Sequence, residues 1–222
     1  MPFRLLGIFP RLEDASLLCG GTLAGCADAG IETMVVSLTG CDGPGDGLSR
    51  AARLLGIGHL VRLDFAEAGL DGADAQSIRL AIADLVQSFQ PDVVILSGDS
   101  QAAADWGRQP APSLGVAAFM QARQGGTDIK PARLYSPTGA QDPTCTTVVD
   151  IRSHARRKLA AINAHTAQPA FLEGSADHGT ELLDREFYVR LQPRPWVTGI
   201  IERDLFGGLA ERSASAARSA AA

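Results

Sequence analysis

Apolar residues along the chain alternate between short continuous runs and longer stretches with helical spacing. Phe3 to Phe9 (FRLLGIF), Glu32 to Leu38 (ETMVVSL), His59 to Asp64 and Asp92 to Ser97 (DVVILS) are short runs of the kind that strands covered on both faces produce. Between them lie a Leu/Ala/Gly-rich stretch from Ala15 to Ala29, a helical segment from Leu48 to Leu55 and a longer one from Ala73 to Phe89. In the last, Ile78, Ile82, Leu85, Val86 and Phe89 recur three and four residues apart, which lines one helix face with apolar side chains. Strand and helix in strict alternation predict a three-layer α/β/α sandwich with a mainly parallel, Rossmann-like sheet. Ligands of such sheets bind outside the carboxyl ends of the strands, so the loops after Phe9, Leu38 and Ser97 are where chemistry is expected.

The later half is less regular. Arg133 to Ser136 and Thr146 to Ile151 read as strands, Ser153 to His165 as a helix capped by Ser153, and Phe187 to Leu191 as a last strand stopped by the Pro-rich 192–195. From Arg212 onward only Ser, Ala and Arg occur, so residues 1–210 are expected to form one domain and 211–222 a low-complexity tail. With 222 residues, 45% of them apolar, the chain has the content for a compact core. A net charge of -5 without a basic stripe argues against nucleic acid as a partner. No apolar run is long enough for a bilayer and no signal-peptide layout opens the chain, so no membrane partner and a cytoplasmic location are expected. The chain has four His and four Cys, and Cys19, Cys26, Cys41 and Cys145 form no C-x-x-C pair. They read as packing thiols, and any metal site must be assembled from few nitrogen and sulfur ligands.

Four separated segments carry a resemblance. The first runs from Phe9 through Cys19-Gly20-Gly21-Thr22-Leu23-Ala24, the second is Gln90-Pro91-Asp92-Val93-Val94, the third Lys158 to Gln168 (KLAAINAHTAQ) and the fourth Glu202 to Leu209 (ERDLFGGL). In order and spacing they resemble the PIG-L or LmbE-like family of zinc-dependent N-acetylglucosamine deacetylases and related amide hydrolases. The resemblance implies a zinc held by the His and second Asp of an Ala-His-Pro-Asp-Asp-Glu motif and by the last His of a His-Pro-Asp-His element. It also implies that the first Asp acts as general base on zinc-bound water. Such a centre works because three protein ligands leave one position open and the metal lowers the pKa of bound water.

Carried onto this chain, the first motif falls on Pro10-Arg11-Leu12-Glu13-Asp14-Ala15. Arg11 replaces the ligand His, Glu13 stands at the general-base position, and Asp14 is the one retained ligand. After the fourth strand, Ala103-Ala104-Asp105-Trp106 is the best counterpart of the second motif, with Trp106 at the third ligand position. A guanidinium has five donors and no acceptor and cannot coordinate a cation. It places a permanent positive charge beside Glu13 and Asp14 and relieves the repulsion of two adjacent carboxylates. No cofactor is therefore expected, and zinc or another divalent cation only if the ligand set is rearranged.

Asp99, Asp105, Trp106 and His165 complete the expected pocket, and Asp99 and Asp105 beside Glu13 and Asp14 would suit a hard cation such as Mg²⁺. As a lone His at a helix end, His165 also reads as a partner of the helix carbonyls. The Gly20–Gly21 pair lets the first helix lie close to the sheet, and Arg50 and Arg53 read as solvated helix charges. Three functions remain open. The first is a family-like binding or partner subunit without zinc and without deacetylation, self-associating through the segment around Leu205 and Phe206 or joined to an intact homologue. The second is an active amide hydrolase of an amino sugar or related small molecule with a rearranged metal site. The third is a metal-free enzyme with Glu13 as base and Arg11 as anion clamp.

Overall fold

The continuous apolar runs become strands because helices cover both faces of the sheet they form. The computed structural model describes residues 2–39, 47–65, 75–97, 133–165, 181–193 and 201–209. Among them the elements are β1 (Arg4–Phe9), α1 (Leu12–Asp28), β2 (Glu32–Thr39), α2 (Gly47–Leu55), β3 (His59–Phe65), α3 (Ala75–Phe89), β4 (Val93–Leu96), β5 (Arg133–Thr138) and β6 (Thr147–Asp150). A 3-10 turn (Arg152–His154), α4 (Ala155–His165), α5 (Glu181–Asp184) and β7 (Arg185–Gln192) follow. The strands form one sheet in the order β3-β2-β1-β4-β5-β7-β6. β1 to β5 are mutually parallel, and β7 runs antiparallel to both β5 and β6. The mainly parallel sandwich read from the apolar pattern is thus the observed architecture.

Each face of the sheet has its own core. On one, Ile78, Ile82, Val86 and Phe89 of α3 pack on Leu6, Ile8, Val36, Val94 and Leu96. On the other, α1, α2 and α4 contribute Leu12, Ala15, Cys19, Leu23, Ala51, Leu55 and Ala161 against Leu5, Phe9, Val35, Ile95, Tyr135 and Tyr188. The Gly20–Gly21 pair sits where α1 meets α4 and the end of β6. A Cβ on Gly21 would stand 2.5 Å from Ile151 Cβ, and one on Gly20 would stand 3.0 Å from Lys158 Cγ. Close approach to the sheet is realised at β7, one strand in from the β6 edge, where the Gly21 N–H reaches Glu186.

Three local expectations are corrected. α1 begins at Leu12 rather than Ala15, which places Glu13 and Asp14 in its first turn. Acidic side chains are favoured there by the partial positive charge of the unpaired N–H groups. Ser153 lies inside the 3-10 turn with its hydroxyl 3.0 Å from His154 Nδ1, so it does not cap; ahead of the turn, Asp150 Oδ1 accepts the Arg152 N–H at 3.1 Å. β7 is longer than the strand expected and is preceded by the short α5. The tail 211–222 lies outside the described residues. No helix among the described residues is long and apolar enough to cross a membrane.

Candidate functional site

The chain runs outward from β1 through β2 to β3, then returns to the other side of β1 as β4, so the strand order reverses between β1 and β4. The crevice at such a reversal is the preferred ligand position of a parallel sheet. Its floor here is the turn from β1 into α1. The Pro10 carbonyl accepts both the N–H and the hydroxyl of Thr39, each at 2.9 Å, and Ser37 Oγ donates to the Thr39 carbonyl at 2.9 Å. On the other flank the Ser97 N–H bonds the Ile8 carbonyl at 3.0 Å. Both neighbouring strands therefore hold the turn.

Arg11 is the N-cap of α1, with extended backbone (φ -134, ψ 154) and no side-chain capping bond. Its Nε stands 3.8 Å from Asp14 Oδ2, one helical turn on. That distance is an ion pair rather than a hydrogen bond. The Asp14 side chain is 8% exposed and that of Arg11 37%, so a buried carboxylate faces a guanidinium reaching toward solvent. Glu13, half-buried, is in the same turn. The three residues that the resemblance assigned to the reacting centre are thus together at the β1–α1 turn.

The other expected residues divide. Asp99, Asp105 and Trp106 lie outside the described residues, as does Cys41. His165 ends α4, and nothing of its side chain is described. Arg50 and Arg53 are exposed, as read. His59 is exposed and pairs with Glu32 at 3.2 Å; His154 is half-buried, 3.2 Å from Asp28 and packed on Gly25. Burial pushes the Cys19 thiol well up, helped by the Glu186 charge, and raises that of Cys26 to about 12. Both thiols are inert packing groups.

Zinc in a deacetylase-type centre requires three donors and an open position. Among the described residues no group of three or more His, Cys, Asp or Glu side chains is placed to hold a metal ion. Asp14, which the resemblance makes the one retained ligand, is paired with a group that has no lone pair to offer. The described donors do not fit that centre.

Two polar clusters escaped sequence reading. In the first, the Glu186 carboxylate of β7, 3% exposed, accepts the Gly21 N–H and Lys158 Nζ on Oε1, each at 2.8 Å, and the Thr22 N–H on Oε2 at 2.8 Å. The Tyr188 hydroxyl lies 3.1 Å from Oε2 and 2.8 Å from Thr22 Oγ1, and burial raises its pKa well above the ordinary value. In the second, Glu202 accepts Arg190 Nη1 at 2.6 Å, Thr147 Oγ1 at 3.1 Å and the Tyr135 hydroxyl at 3.2 Å, while Arg133 donates to the carbonyls of Leu205 and Gly207. This explains the closing ERDLFGGL segment as a strap across the sheet. Leu205 is buried in the chain's own core, and Phe206 leans on Phe3 with ring centroids 5.6 Å apart. One sequence signal pointed toward the first cluster: Lys158 opens the third resembling segment.

Neither a family sequence model nor a curated protein matches the chain. Solved structures do. A conserved protein from Thermus thermophilus is 24% identical with a TM-score of 0.66, covering 88% of this chain and 97% of its own. The 4-carboxy-2-hydroxymuconate hydratase of Pseudomonas putida is 16% identical with a TM-score of 0.66, covering 88% and 99%. The N,N'-diacetylchitobiose deacetylase of Pyrococcus horikoshii is 16% identical with a TM-score of 0.62, covering 87% of each chain. At these identities the likeness establishes the fold. It is that of the LmbE/PIG-L-type deacetylases, the class to which the motif order pointed, and a hydratase shares it.

Proposed function

We propose that this chain is a binding or partner subunit on the deacetylase fold, which does not itself carry out zinc-dependent deacetylation. The observation that supports this is the Arg11–Asp14 pair at 3.8 Å, with a guanidinium at the position where the resemblance places a metal-binding His. A permanent cation there satisfies Asp14 electrostatically and opposes entry of a divalent ion into the same space. The inherited crevice then serves to hold a small amide or amino-sugar ligand, or to complete an assembly with a second copy or an intact homologue. The test is acetate release from N-acetylglucosamine conjugates with Zn²⁺ added. No release above buffer is expected, and turnover that rises with zinc would return the rearranged-metal hydrolase.

A second reading has its own support. A hydratase shares this fold over 88% of the chain, so the scaffold hosts chemistry other than deacetylation. In that reading the site acts without metal: Glu13, on the first turn of α1, takes a proton, and Arg11 holds an anionic group of the substrate. Screening carboxylate-bearing small molecules by ligand-detected NMR, with Arg11→Ala as the control, separates it from the first.

A further inference from the structure

Glu186 is a fully enclosed carboxylate that no reading of the crevice uses. Its two nearest backbone partners are unusual, because Gly21 and Thr22 lie in the middle of α1, where N–H groups ordinarily serve only the helix itself. A carboxylate at 2.8 Å from two successive helical N–H groups grips the helix at one point along its axis. Lys158, 1% exposed, reaches that carboxylate from the α4 side at 2.8 Å. Contact this close is possible because Gly20 and Gly21 carry no side chain; a Cβ on either would meet Lys158 or Ile151.

We propose that Glu186 is the positioning residue of the candidate site. From β7 it sets where α1 lies along the sheet, and through α1 where Arg11, Glu13 and Asp14 stand at the β1–α1 turn. Asp14 is seven residues, about 10 Å of helix rise, from the gripped N–H of Gly21. The stretch between them, Ala15 to Gly20, is buried at Ala15, Ser16, Leu17 and Cys19, so a displacement at Gly21 is carried to the helix start through packed atoms. The inference concerns the location of the helix end and holds whichever ligand the crevice takes, so its failure and that of the proposed function are separate.

The test is NMR on the whole chain. In the wild type, couplings across the hydrogen bonds are expected from the Gly21 and Thr22 amide nitrogens to the Glu186 carboxylate carbon; their absence overturns the proposal. Glu186→Asp keeps the charge and the Lys158 pair but is one methylene shorter. The Arg11 Nε–H resonance and the amides of residues 12–15 are expected to move in this variant. An unmoved Arg11 resonance in a folded Glu186→Asp protein shows a purely structural pair and contradicts us. Should that variant not fold, amide exchange of the wild type decides. Residues 16–20 are expected to open together with Gly21 and Thr22, whereas exchange of 16–20 more than tenfold faster, with 21 and 22 still protected, overturns the inference.

Discussion

At the scale of single residues Arg11 matters most, because a guanidinium cannot serve as the metal ligand that the resemblance places at its position. The ion pair with Asp14 is one-third exposed on the arginine side, so it contributes little to stability. Arg11→Ala is expected to cost about 0.5–1 kcal/mol in urea unfolding, the range of partly exposed pairs. The same substitution leaves Asp14 facing a vacated cation position, so calorimetry should show tighter Zn²⁺ binding than in the wild type. Asp150 supplies a second test. The Arg152 side chain and then its N–H lower the Asp150 pKa from 3.8 to about 2. The folded value lies below the unfolded one, so this contribution is complete above about pH 4 and is lost as pH falls toward about 2. Asp150→Asn should flatten stability against pH in that window, and an unchanged slope would count against these bonds. That Arg11, Glu13 and Asp14 stand together was legible because they lie within four consecutive residues. Thr39, which holds the Pro10 carbonyl, and Ser37, which bonds the Thr39 carbonyl, were not, since a hydroxyl in a strand carries no signal of its partner.

Among the elements, α1 shows most clearly what a pattern reveals and what it hides. Its Gly pair signalled close packing, but not what lies across from it. Lys158 and Glu186 are 28 residues apart and of types that default to the surface, so only the folded chain brings them together inside. Lys158→Met strands a buried carboxylate and should cost about 3–5 kcal/mol in urea unfolding. Lys158→Met with Glu186→Leu should recover part of that loss, because two apolar groups leave no buried charge behind. Recovery failing altogether would mean that the N–H bonds to Gly21 and Thr22 carry most of the energy. Gly21→Ala, with its Cβ against Ile151, should cost about 1–3 kcal/mol by overpacking.

For the whole molecule, the sheet was readable because each strand covered on both faces announces itself as an unbroken apolar run, as DVVILS does for β4. Parallel order follows from helices between strands, and the crevice between β1 and β4 follows from that order. The antiparallel β7 and the strap 201–209 were less readable, since their hold on the sheet depends on distant polar partners such as Arg190 with Glu202. Deacetylases and a hydratase share this fold, so the fold alone does not choose the chemistry. The choice rests on what occupies the start of α1. The most direct measurement is elemental analysis of protein purified without chelator and then equilibrated with Zn²⁺ and dialysed. A guanidinium where the resemblance places a metal-binding His predicts zinc far below one ion per chain. Retention of one tightly bound zinc per chain would contradict the account.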